Sequence, residues 1–572
     1  MTGWCLECLM GSDVESEHER MAGQTQHTAT GGYEVVRFLA ERGYRHVFGI
    51  PGSSMVAALY ELQGSGVQFV PAIHESVVVA MADGYARVNG SAVAMLYMLP
   101  GLANGLSGLY NAWHDESPVI VIASQQATSE RTPQGTTGEA DLVSVAKPFT
   151  RFAHELNAGV AIRPWLERAR RAALGSPAGP AFLSMTEDAF ESRGPVNQIR
   201  VSQRAQPAAP ELRRVISELR RAEQPLLVVG GQVRTSGGSE AIEQMAAAFE
   251  IPIVYENGFS SRLGVAPGHS HVFGNVALGG ASLEQTADVV VMLGTRSAYD
   301  GHPRPVWYPQ ARFVAQVNAD PARLEETHTV DWAACADPGA VGIALLSALG
   351  ECDGVETALL DRRRERLRSL RSTKVAGRYE QMIAPARAAA AHLHDALEHG
   401  WLVDESVTAS GALVEGLKST DGRRYVGCSG ASLGWGTGAA AGVALASGEP
   451  VTCVLGDGAL RFGCAGLWSI QANRLPVTLV VFDNGGYGST RFFERQYVNR
   501  LGPNRPHPDP SYFGSDMRMQ GASVGQILEG FGIPCRTLSS AEDARSAIVQ
   551  AWAESHRGPN AVVIPLPFEL GM

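Results

Sequence analysis

The sequence lacks the features of a membrane, secreted or nucleic-acid-binding protein. None of its apolar runs approaches the roughly 20 residues that a membrane-spanning helix needs. Residues 1–28 contain no basic start, long apolar core or small-residue cleavage site, so no signal peptide is predicted. The net charge is −11 and there is no basic block, which argues against nucleic acid or an anionic membrane as the main partner. We therefore expect a cytoplasmic protein.

Cysteine and charge are also sparse. The eight cysteines stand mostly singly in apolar segments, and Cys5 and Cys8 form a C-x-x-C without a second pair. Neither a zinc site nor a redox site is predicted there. Residues 1–28 are polar and acidic and are predicted to be disordered, and Met21 is an alternative start. Because 45% of the 572 residues are apolar and 18% are charged, the remainder should fold into several globular domains.

Two polar motifs each follow a short apolar run rich in β-branched residues. Gly456-Asp457-Gly458-Ala459 follows residues 451–455, and Asp483-Asn484-Gly485-Gly486-Tyr487 follows residues 477–482. Such runs indicate buried parallel strands, and open α/β sheets bind ligands at the carboxyl ends of their strands. Alone, the first motif would be an ordinary turn, but the two together are spaced for one βαβ crossover. Oxygen donors with one carboxylate suit Mg²⁺ that holds a diphosphate.

This pair of motifs resembles the signature of thiamine diphosphate (ThDP) enzymes, Gly-Asp-Gly followed after one crossover by Asn. The resemblance implies that Asp457, Asn484 and the Gly486 carbonyl bind the Mg²⁺ that anchors the diphosphate of ThDP. It also implies that cofactor contacts come from the neighbouring positions Gly456, Gly458, Ala459 and Tyr487.

A second segment, from Ile73-His74-Glu75 through Asp83 to Arg87, resembles the part of the ThDP family that supplies the cofactor-activating glutamate. From the residues alone, Glu75 could simply be a carboxylate stabilised by a helix dipole. Its place at the start of an otherwise apolar helix predicts that it is buried. The resemblance implies that Glu75 hydrogen-bonds the pyrimidine N1′ and promotes the imino tautomer that removes the thiazolium C2 proton.

Further segments resemble the family's cofactor pocket. The loop Cys428 to Gly436 resembles the one that supports the bent cofactor, which implies that Leu433 lies under the cofactor and that the Ala431 carbonyl lies near its 4′-amino group. Asn104 either caps a helix that opens near Pro100 or contacts the cofactor. Two strand-end residues, Pro51 and Ser406, are also assigned to the cofactor pocket.

The resemblance spans residues 29–572 and identifies the chain as a member of the ThDP-dependent decarboxylase and carboligase family. It implies an α/β fold of three domains, each with a mainly parallel sheet flanked by helices. We expect a pyrimidine-binding domain at 29–195, a central domain at 211–350 and a diphosphate-binding domain at 380–572. The family shares each cofactor between subunits, so a homodimer or homotetramer with active sites at the subunit interface is implied.

The substrate side matches no single subfamily. The segment Phe48 to Ser53 resembles the substrate-binding turn of benzoylformate decarboxylase, and Ser53, Gln125 and Gln126 are candidate pocket residues. Where that enzyme has an active-site histidine after the third strand, this chain has Tyr97 or Met98. Candidates for proton transfer are His74, His114, His302 and Tyr97, although a histidine in a fold of this size is more often structural.

The resemblance implies decarboxylation of a 2-oxo acid, after which the enamine is protonated to an aldehyde or ligated to a second carbonyl compound, an aldehyde or ketone. An acetolactate synthase-like carboligase that forms acyloins is the alternative within the enzyme class. A non-catalytic ThDP-binding homologue with a structural or regulatory role is the alternative outside it. Some family members hold a flavin or adenine nucleotide in the central domain. Gly230-Gly231 here lacks the G-x-G-x-x-G fingerprint, so neither FAD nor an adenine nucleotide is predicted.

Overall fold

The computed structural model describes most of the chain. The described residues are 28–131, 141–195, 212–256, 262–275, 281–295, 308–325, 330–351, 355–372, 400–417, 422–502, 506, 514–518 and 521–566. None of the helices within these ranges is long and apolar enough to cross a membrane.

The first domain is built on a parallel sheet of six strands. The strands of this sheet are β2 (His46–Gly49), β3 (Gln68–Pro71), β4 (Ala92–Tyr97), β5 (Val119–Gln125), β6 (Phe152–Leu156) and β7 (Ala181–Thr186). Two further short strands, β1 (Thr28–Thr30) and β8 (Arg193–Pro195), form a separate antiparallel pair. The sheet order is β3-β2-β4-β5-β7-β6. Its α-helices are α1 (Gly31–Glu41), α2 (Val56–Glu61), α3 (Glu75–Asn89), α4 (Met98–His114), α5 (Leu142–Ala146), α6 (Ile162–Leu174) and α7 (Glu187–Glu191). Every residue of β5 is buried, as expected for a strand covered by helices on both faces.

The central domain repeats this architecture. Its strands are β9 (Pro225–Val229), β10 (Ile253–Tyr255), β11 (Val272–Asn275), β12 (Val289–Leu293), β13 (Phe313–Asn318) and β14 (Trp332–Cys335). They form a parallel sheet in the order β11-β10-β9-β12-β13-β14. Its helices are α8 (Arg213–Arg221), α9 (Gly231–Thr235), α10 (Ser239–Phe249), α11 (Ala281–Thr286), α12 (Pro338–Glu351) and α13 (Thr357–Ser372).

The third domain carries the last parallel sheet. Its strands are β15 (Trp401–Glu405), β16 (Tyr425–Gly427), β17 (Val451–Gly456), β18 (Val477–Asp483), β19 (Cys535–Thr537) and β20 (Asn560–Pro565), in the order β16-β15-β17-β18-β20-β19. Its helices are α14 (Ser410–Gly416), α15 (Gly436–Ser447), α16 (Asp457–Phe462), α17 (Cys464–Ala472), α18 (Gly488–Leu501), α19 (Val524–Gly530) and α20 (Ala544–Glu554). Three α/β domains with six-stranded parallel sheets confirm the predicted fold class.

Several local boundaries differ from the sequence prediction. Thr28, assigned to the disordered extension, belongs to β1 and pairs with Pro195. Met98 begins α4 with a φ of 49°, and Tyr97 is the last residue of β4. Within the arginine-rich helix α13, Arg363 is only 2% exposed and donates to the carbonyls of Ala222 and Phe249. The three predicted domain boundaries stay predictions.

The first and third domains pack through helices α3 and α15. Small residues let the two backbones approach closely. Ala439 lies against Gly84, and a Cβ on Gly442 would lie only 2.0 Å from the Met81 carbonyl oxygen. A side chain at Gly442 would therefore push the helices apart. This contact fixes the orientation of α3, whose first residue is Glu75.

Candidate active site

Glu75 lies at the first position of α3, beside the N-terminal half of α4. Its Oε2 accepts a hydrogen bond of 3.0 Å from the Asn104 side-chain amide, and its carboxylate lies against Gly101. The prediction that Glu75 is buried was wrong for the single chain, because the residue is half-buried. A carboxylate that is oriented by an amide yet open on one side can hydrogen-bond a ligand.

Asn104 does not cap a helix. Because α4 begins at Met98, Asn104 lies in the second turn, where a side chain cannot satisfy the free N–H groups of the helix N-terminus. The capping interpretation was therefore wrong. Asn104 instead uses its exposed side chain to orient Glu75.

Two hydroxyl groups meet at the same edge of the first sheet. The Tyr97 hydroxyl, at the end of β4, lies 3.3 Å from Ser53 Oγ in the turn after β2. The Tyr97 ring rests against Gly52, and Pro51 is exposed beside it. Because β2 and β4 are paired neighbours, these residues share the carboxyl edge of the sheet, where α3 and α4 also begin.

The two glutamines at the end of β5 have different surroundings. The structure extends this strand through Gln125, so its side chain is fully buried and accepts a hydrogen bond from the Gln126 N–H. Gln125 is therefore not an open pocket residue in the single chain. Gln126 is half-buried and donates to Glu130 at 3.2 Å.

The candidate histidines are dispersed. His74 is the N-cap of α3, and its Nδ1 accepts from the Ser76 N–H at 3.2 Å. His114 lies ten residues beyond Asn104, which places it about 15 Å further along the α4 axis. Its Nδ1 is 3.0 Å from Ser429 Oγ in the third domain. His302 lies outside the described residues. His74 is thus adjacent to Glu75, and His114 is remote from it.

Asp457 begins α16 directly after β17, at the carboxyl edge of the third sheet. It is 2% exposed, and its Oδ2 has no hydrogen-bond partner among the described residues. Burial, assisted by the nearby negative charge of Asp483, raises the pKa of Asp457 to about 6. A buried carboxylate oxygen without a partner is costly unless a cation or donor occupies the space beside it.

Asn484 and Gly486 follow the neighbouring strand β18. Asn484 is 8% exposed, and its Oδ1 accepts a hydrogen bond of 3.2 Å from the Gly486 N–H. An amide oxygen has two lone pairs, so a second one can bind a ligand. The Gly486 carbonyl accepts from the Gly488 N–H at 3.0 Å. The Tyr487 ring packs over Gly458 and makes an edge contact with Phe462.

These residues fit the cofactor that the sequence suggested. One carboxylate, one amide oxygen and one carbonyl oxygen form a hard donor set suited to Mg²⁺. The structural observation that favours a cation there is the Asp457 Oδ2 atom, which has no hydrogen-bond partner in the described ranges. Among the described residues no group of three or more His, Cys, Asp or Glu could hold a metal, and a donor set with a single carboxylate would not form such a group. Gly456 and Ala459 flank Asp457, and Ala459 is buried.

The Glu405 carboxylate binds the backbone of the loop before α15. Glu405 is the last residue of β15, and its carboxylate accepts from the N–H groups of Gly434, Trp435 and Gly436 at 2.7–3.1 Å. Burial outweighs these three donors and raises the pKa of Glu405 to about 7. Leu433, one residue before Gly434, is half-buried.

Two other predicted pocket residues have constrained surroundings. Ala431 is exposed at a φ of 59°, a conformation that costs energy for a residue other than glycine. Ser406 is buried, and its hydroxyl donates to Asp404 Oδ1 at 2.7 Å.

A buried ion network behind the site was missed by sequence reasoning. Arg87 of α3 donates to Asp83 at 2.8 Å and to Asp115 at 2.7 Å. The Trp435 indole N–H donates to Asp83 at 2.7 Å, and the Ser429 hydroxyl donates to Asp115. The network therefore ties the glutamate-bearing helix to the loop of the third domain. The motif containing Asp83 and Arg87 was visible in the sequence, but its partners lie far away along the chain.

In the central domain, Gly230 and Gly231 serve packing. A Cβ on Gly230 would lie 2.1 Å from the Gly294 carbonyl, so this glycine allows the ends of β9 and β12 to approach. Gln232, beside them, donates to Asn318 and to Glu116 of the first domain. The prediction about flavin and adenine nucleotides stays a prediction.

Comparison with known proteins matches all three domains. Models of the thiamine pyrophosphate enzyme N-terminal TPP-binding, central and C-terminal TPP-binding domains match residues 29–145, 212–349 and 408–564. Benzoylformate decarboxylase of Pseudomonas aeruginosa is 26% identical over 93% of this chain and 97% of its own length. The acetolactate synthase isozyme 3 large subunit of Escherichia coli is 26% identical over 81% and 83%.

A solved structure shows the same fold. The thiamine diphosphate-dependent 4-hydroxybenzoylformate decarboxylase of Rhodococcus jostii RHA1 superposes with a TM-score of 0.79. It is 23% identical and covers 94% of this chain and 99% of its own.

Proposed function

The chain belongs to the thiamine diphosphate-dependent decarboxylase and carboligase family, and from this premise we propose that it decarboxylates a 2-oxo acid with ThDP and Mg²⁺. The observation that carries the proposal is the presence of two carboxylates in opposite settings. Glu75 is held by Asn104 but open to a ligand, whereas Asp457 is buried and its Oδ2 has no partner within the part of the chain that the structure describes. One suits an acid–base contact and the other a metal.

In the proposed reaction, bound ThDP would supply the electron sink for cleavage of the bond to the carboxylate. Glu75 would hold the pyrimidine N1′ through a hydrogen bond and exchange a proton there. Asn104 keeps the Glu75 carboxylate in one orientation, which lowers the entropy cost of forming the hydrogen bond to N1′. His74, adjacent to Glu75, keeps its Nδ1 as an acceptor and leaves Nε2 for a proton.

The metal would be held by Asp457, Asn484 and the Gly486 carbonyl. Nearby backbone groups of Gly456, Gly458 and Ala459, and the ring of Tyr487, would line the diphosphate pocket. Leu433 and the Ala431 carbonyl would support the cofactor from the loop that Glu405 fixes.

On the substrate side, Ser53 and Tyr97 would hydrogen-bond the carboxylate or carbonyl of the 2-oxo acid. Their 3.3 Å separation lets one hydroxyl donate to the other while the second donates to a ligand. A small-molecule 2-oxo acid, and an aldehyde or ketone as a possible acceptor, are the proposed partners. We place the protein in the cytoplasm as a homodimer or homotetramer whose subunits share each active site.

A carboligase of the acetolactate synthase type is the second candidate, supported by equal identity to the relative that carries that name. A non-catalytic ThDP-binding homologue is disfavoured by the Glu75–Asn104 pair, because binding the diphosphate alone does not require an oriented carboxylate in the first domain.

The experiment incubates purified protein with ThDP and Mg²⁺, supplies a panel of 2-oxo acids with and without aldehyde acceptors, and follows CO₂ and products by mass spectrometry. We expect CO₂ release that disappears in Glu75→Gln. An aldehyde product supports the decarboxylase, and a hydroxyketone supports the carboligase. Tight ThDP binding without turnover on any acid would contradict the proposal and favour the non-catalytic role.

A further inference from the structure

A short segment lies across the loop that carries two of the three proposed metal ligands. We call residues 484–487 the metal loop and residues 514–518 the strap. The Tyr487 N–H donates to the Ser515 carbonyl at 3.0 Å, and the Met517 N–H donates to the Gly485 carbonyl at 2.8 Å. Gly486 and Asp516 form an antiparallel bridge between these bonds. The strap therefore pairs with the metal loop through an antiparallel β-bridge.

The packing at Gly486 is tight. Its φ is 156°, and a Cβ there would lie 2.0 Å from the Ser515 carbonyl oxygen and 3.1 Å from Arg491 Nη1. No side chain other than hydrogen fits between these two groups. The strap and Arg491 therefore enclose Gly486 from two sides and restrict how its peptide can rotate.

Arg491, on the first turn of α18, joins the two segments. Its Nη2 is 3.5 Å from the Asn484 carbonyl and its Nη1 is 3.5 Å from the Ser515 carbonyl. The residue is 5% exposed, so its guanidinium is largely removed from water. Burying a cation costs free energy, which the contacts it makes must offset. The planar guanidinium is suited to reach two carbonyl groups at once, whereas a lysine ammonium is a single point.

We propose that Arg491 is a positioning residue that clamps the metal loop to the strap and thereby pre-arranges the Asn484 and Gly486 oxygens for the metal. The inference rests on the proposed function. The backbone carbonyls of Asn484, Gly485 and Ser515 are all used by the clamp or the strap. The Asn484 side-chain oxygen and the Gly486 carbonyl stay oriented but keep a lone pair for a ligand.

The strap also reaches the other motif. The Met517 methyl lies 3.5 Å from the position that a Cβ on Gly458 would occupy, next to the Tyr487 ring. Both sides of the predicted metal site, the Gly-Asp-Gly turn and the metal loop, thus contact the same five-residue segment. Groups that orient metal ligands from behind typically change metal affinity by roughly 10- to 100-fold when they are removed.

Two measurements on the full chain test the clamp. In the metal-free protein, we expect Arg491→Met to speed hydrogen exchange about tenfold at the Tyr487 and Met517 amides, which the loop–strap bonds protect. In titrations of Mg²⁺ at fixed ThDP, followed by calorimetry, we expect Arg491→Met to weaken Mg²⁺ binding by roughly 10- to 100-fold. Arg491→Lys, which keeps the charge but not the double reach, should show a smaller change in both.

Arg500→Gln is the matched control, because Arg500 is exposed in the last turn of the same helix and should change neither result. Unchanged exchange in Arg491→Met would overturn the clamp. Weaker Mg²⁺ binding with unchanged hydrogen exchange in Arg491→Met would also overturn the clamp. That result would show that Arg491 acts by direct contact with the metal ligands. If the unmodified protein bound no ThDP, the proposed function and the role of the clamp toward the cofactor would both fail, whatever the exchange result. If Arg491→Met does not fold, Arg491→Lys carries the same comparison.

Discussion

At the scale of single residues, the protein uses identical chemical groups in different settings. Glu75 is half-buried with one amide donor, and Asp457 is buried with an oxygen that accepts no hydrogen bond from the described residues. The environment, rather than the residue type, separates an acid–base candidate from a metal-ligand candidate. The hydroxyls of Ser53 and Tyr97 lie 3.3 Å apart and are the proposed polar groups on the substrate side.

Removal of the Tyr97 hydroxyl tests this substrate-side pair. We expect Tyr97→Phe to lower kcat/KM for the 2-oxo acid roughly tenfold, because a hydrogen bond contributes about 1–1.5 kcal/mol. Ser53→Ala should give a similar loss, and the double variant should lose less than the sum of the two. Steady-state kinetics of the three variants measures this. Fully additive losses would contradict a hydroxyl pair that acts as one unit.

The sequence located some of these residues because their signals are local. Asp457 and Asn484 directly follow apolar runs, so strand ends could be predicted. The capping alternative for Asn104 was wrong because the start of α4 depends on the positive φ of Met98, which no helix-start pattern indicates. Arg491 was not singled out, since its contact with the Ser515 carbonyl joins residues that are 24 positions apart in the sequence.

At the scale of secondary-structure elements, helix ends are anchored by buried polar groups. Glu405, at the end of β15, accepts from three N–H groups at the start of α15. Arg87 on α3 binds Asp83 on its own helix and Asp115 at the end of α4. These contacts position the loop of Leu433 and the helix of Glu75 relative to each other.

The Glu405 carboxyl gives a pH-dependent prediction. Its folded-state pKa is about 7, above its ordinary value of 4.5, so the folded protein binds the proton more tightly than the unfolded chain. Its contribution to the free energy of unfolding is therefore full below about pH 4.5 and is lost as the pH rises through 7. Between pH 5 and 8, the Tm of the unmodified protein should fall by a few degrees more than that of Glu405→Gln. An equal change of Tm with pH in the unmodified protein and in Glu405→Gln would contradict the raised pKa.

The buried ion network predicts a large loss of stability. Arg87→Met removes the cation but leaves Asp83 and Asp115 buried, which should cost about 3–5 kcal/mol of unfolding free energy. Thermal unfolding followed by circular dichroism measures the change. Arg368→Gln is the control, because Arg368 is 66% exposed and its ion pair with Glu365 is also solvated. Equal Tm values for the two variants would show that the network contributes little.

At the scale of the whole molecule, the described residues form three domains, each built on a six-stranded parallel sheet. Sequence patterning could predict this architecture because buried parallel strands are continuous apolar runs, as β5 and β18 show. It could not predict how the domains meet, since the close approach at Gly442 and the Arg87 network join residues hundreds of positions apart.

Mixing two inactive variants tests whether subunits share the active site. If each site combines the first domain of one subunit with the third domain of its partner, Glu75→Gln mixed with Asp457→Ala should regain about one quarter of the original activity. Random dimers would then contain one intact site in each heterodimer. Each variant alone should be inactive. No recovery after verified subunit exchange would place both residues in a site within one chain.

If Glu75 activates the bound cofactor, as we propose, the C2 proton of bound ThDP should exchange with D₂O at a rate that depends on Glu75. Protein loaded with ThDP and Mg²⁺ is mixed with D₂O, quenched with acid and analysed by NMR. We predict exchange much faster than in free ThDP, and a loss of at least about 100-fold in Glu75→Gln that still binds the cofactor. Equally fast exchange in Glu75→Gln, or no acceleration in the unmodified protein, would contradict the proposed role of Glu75 in activating ThDP.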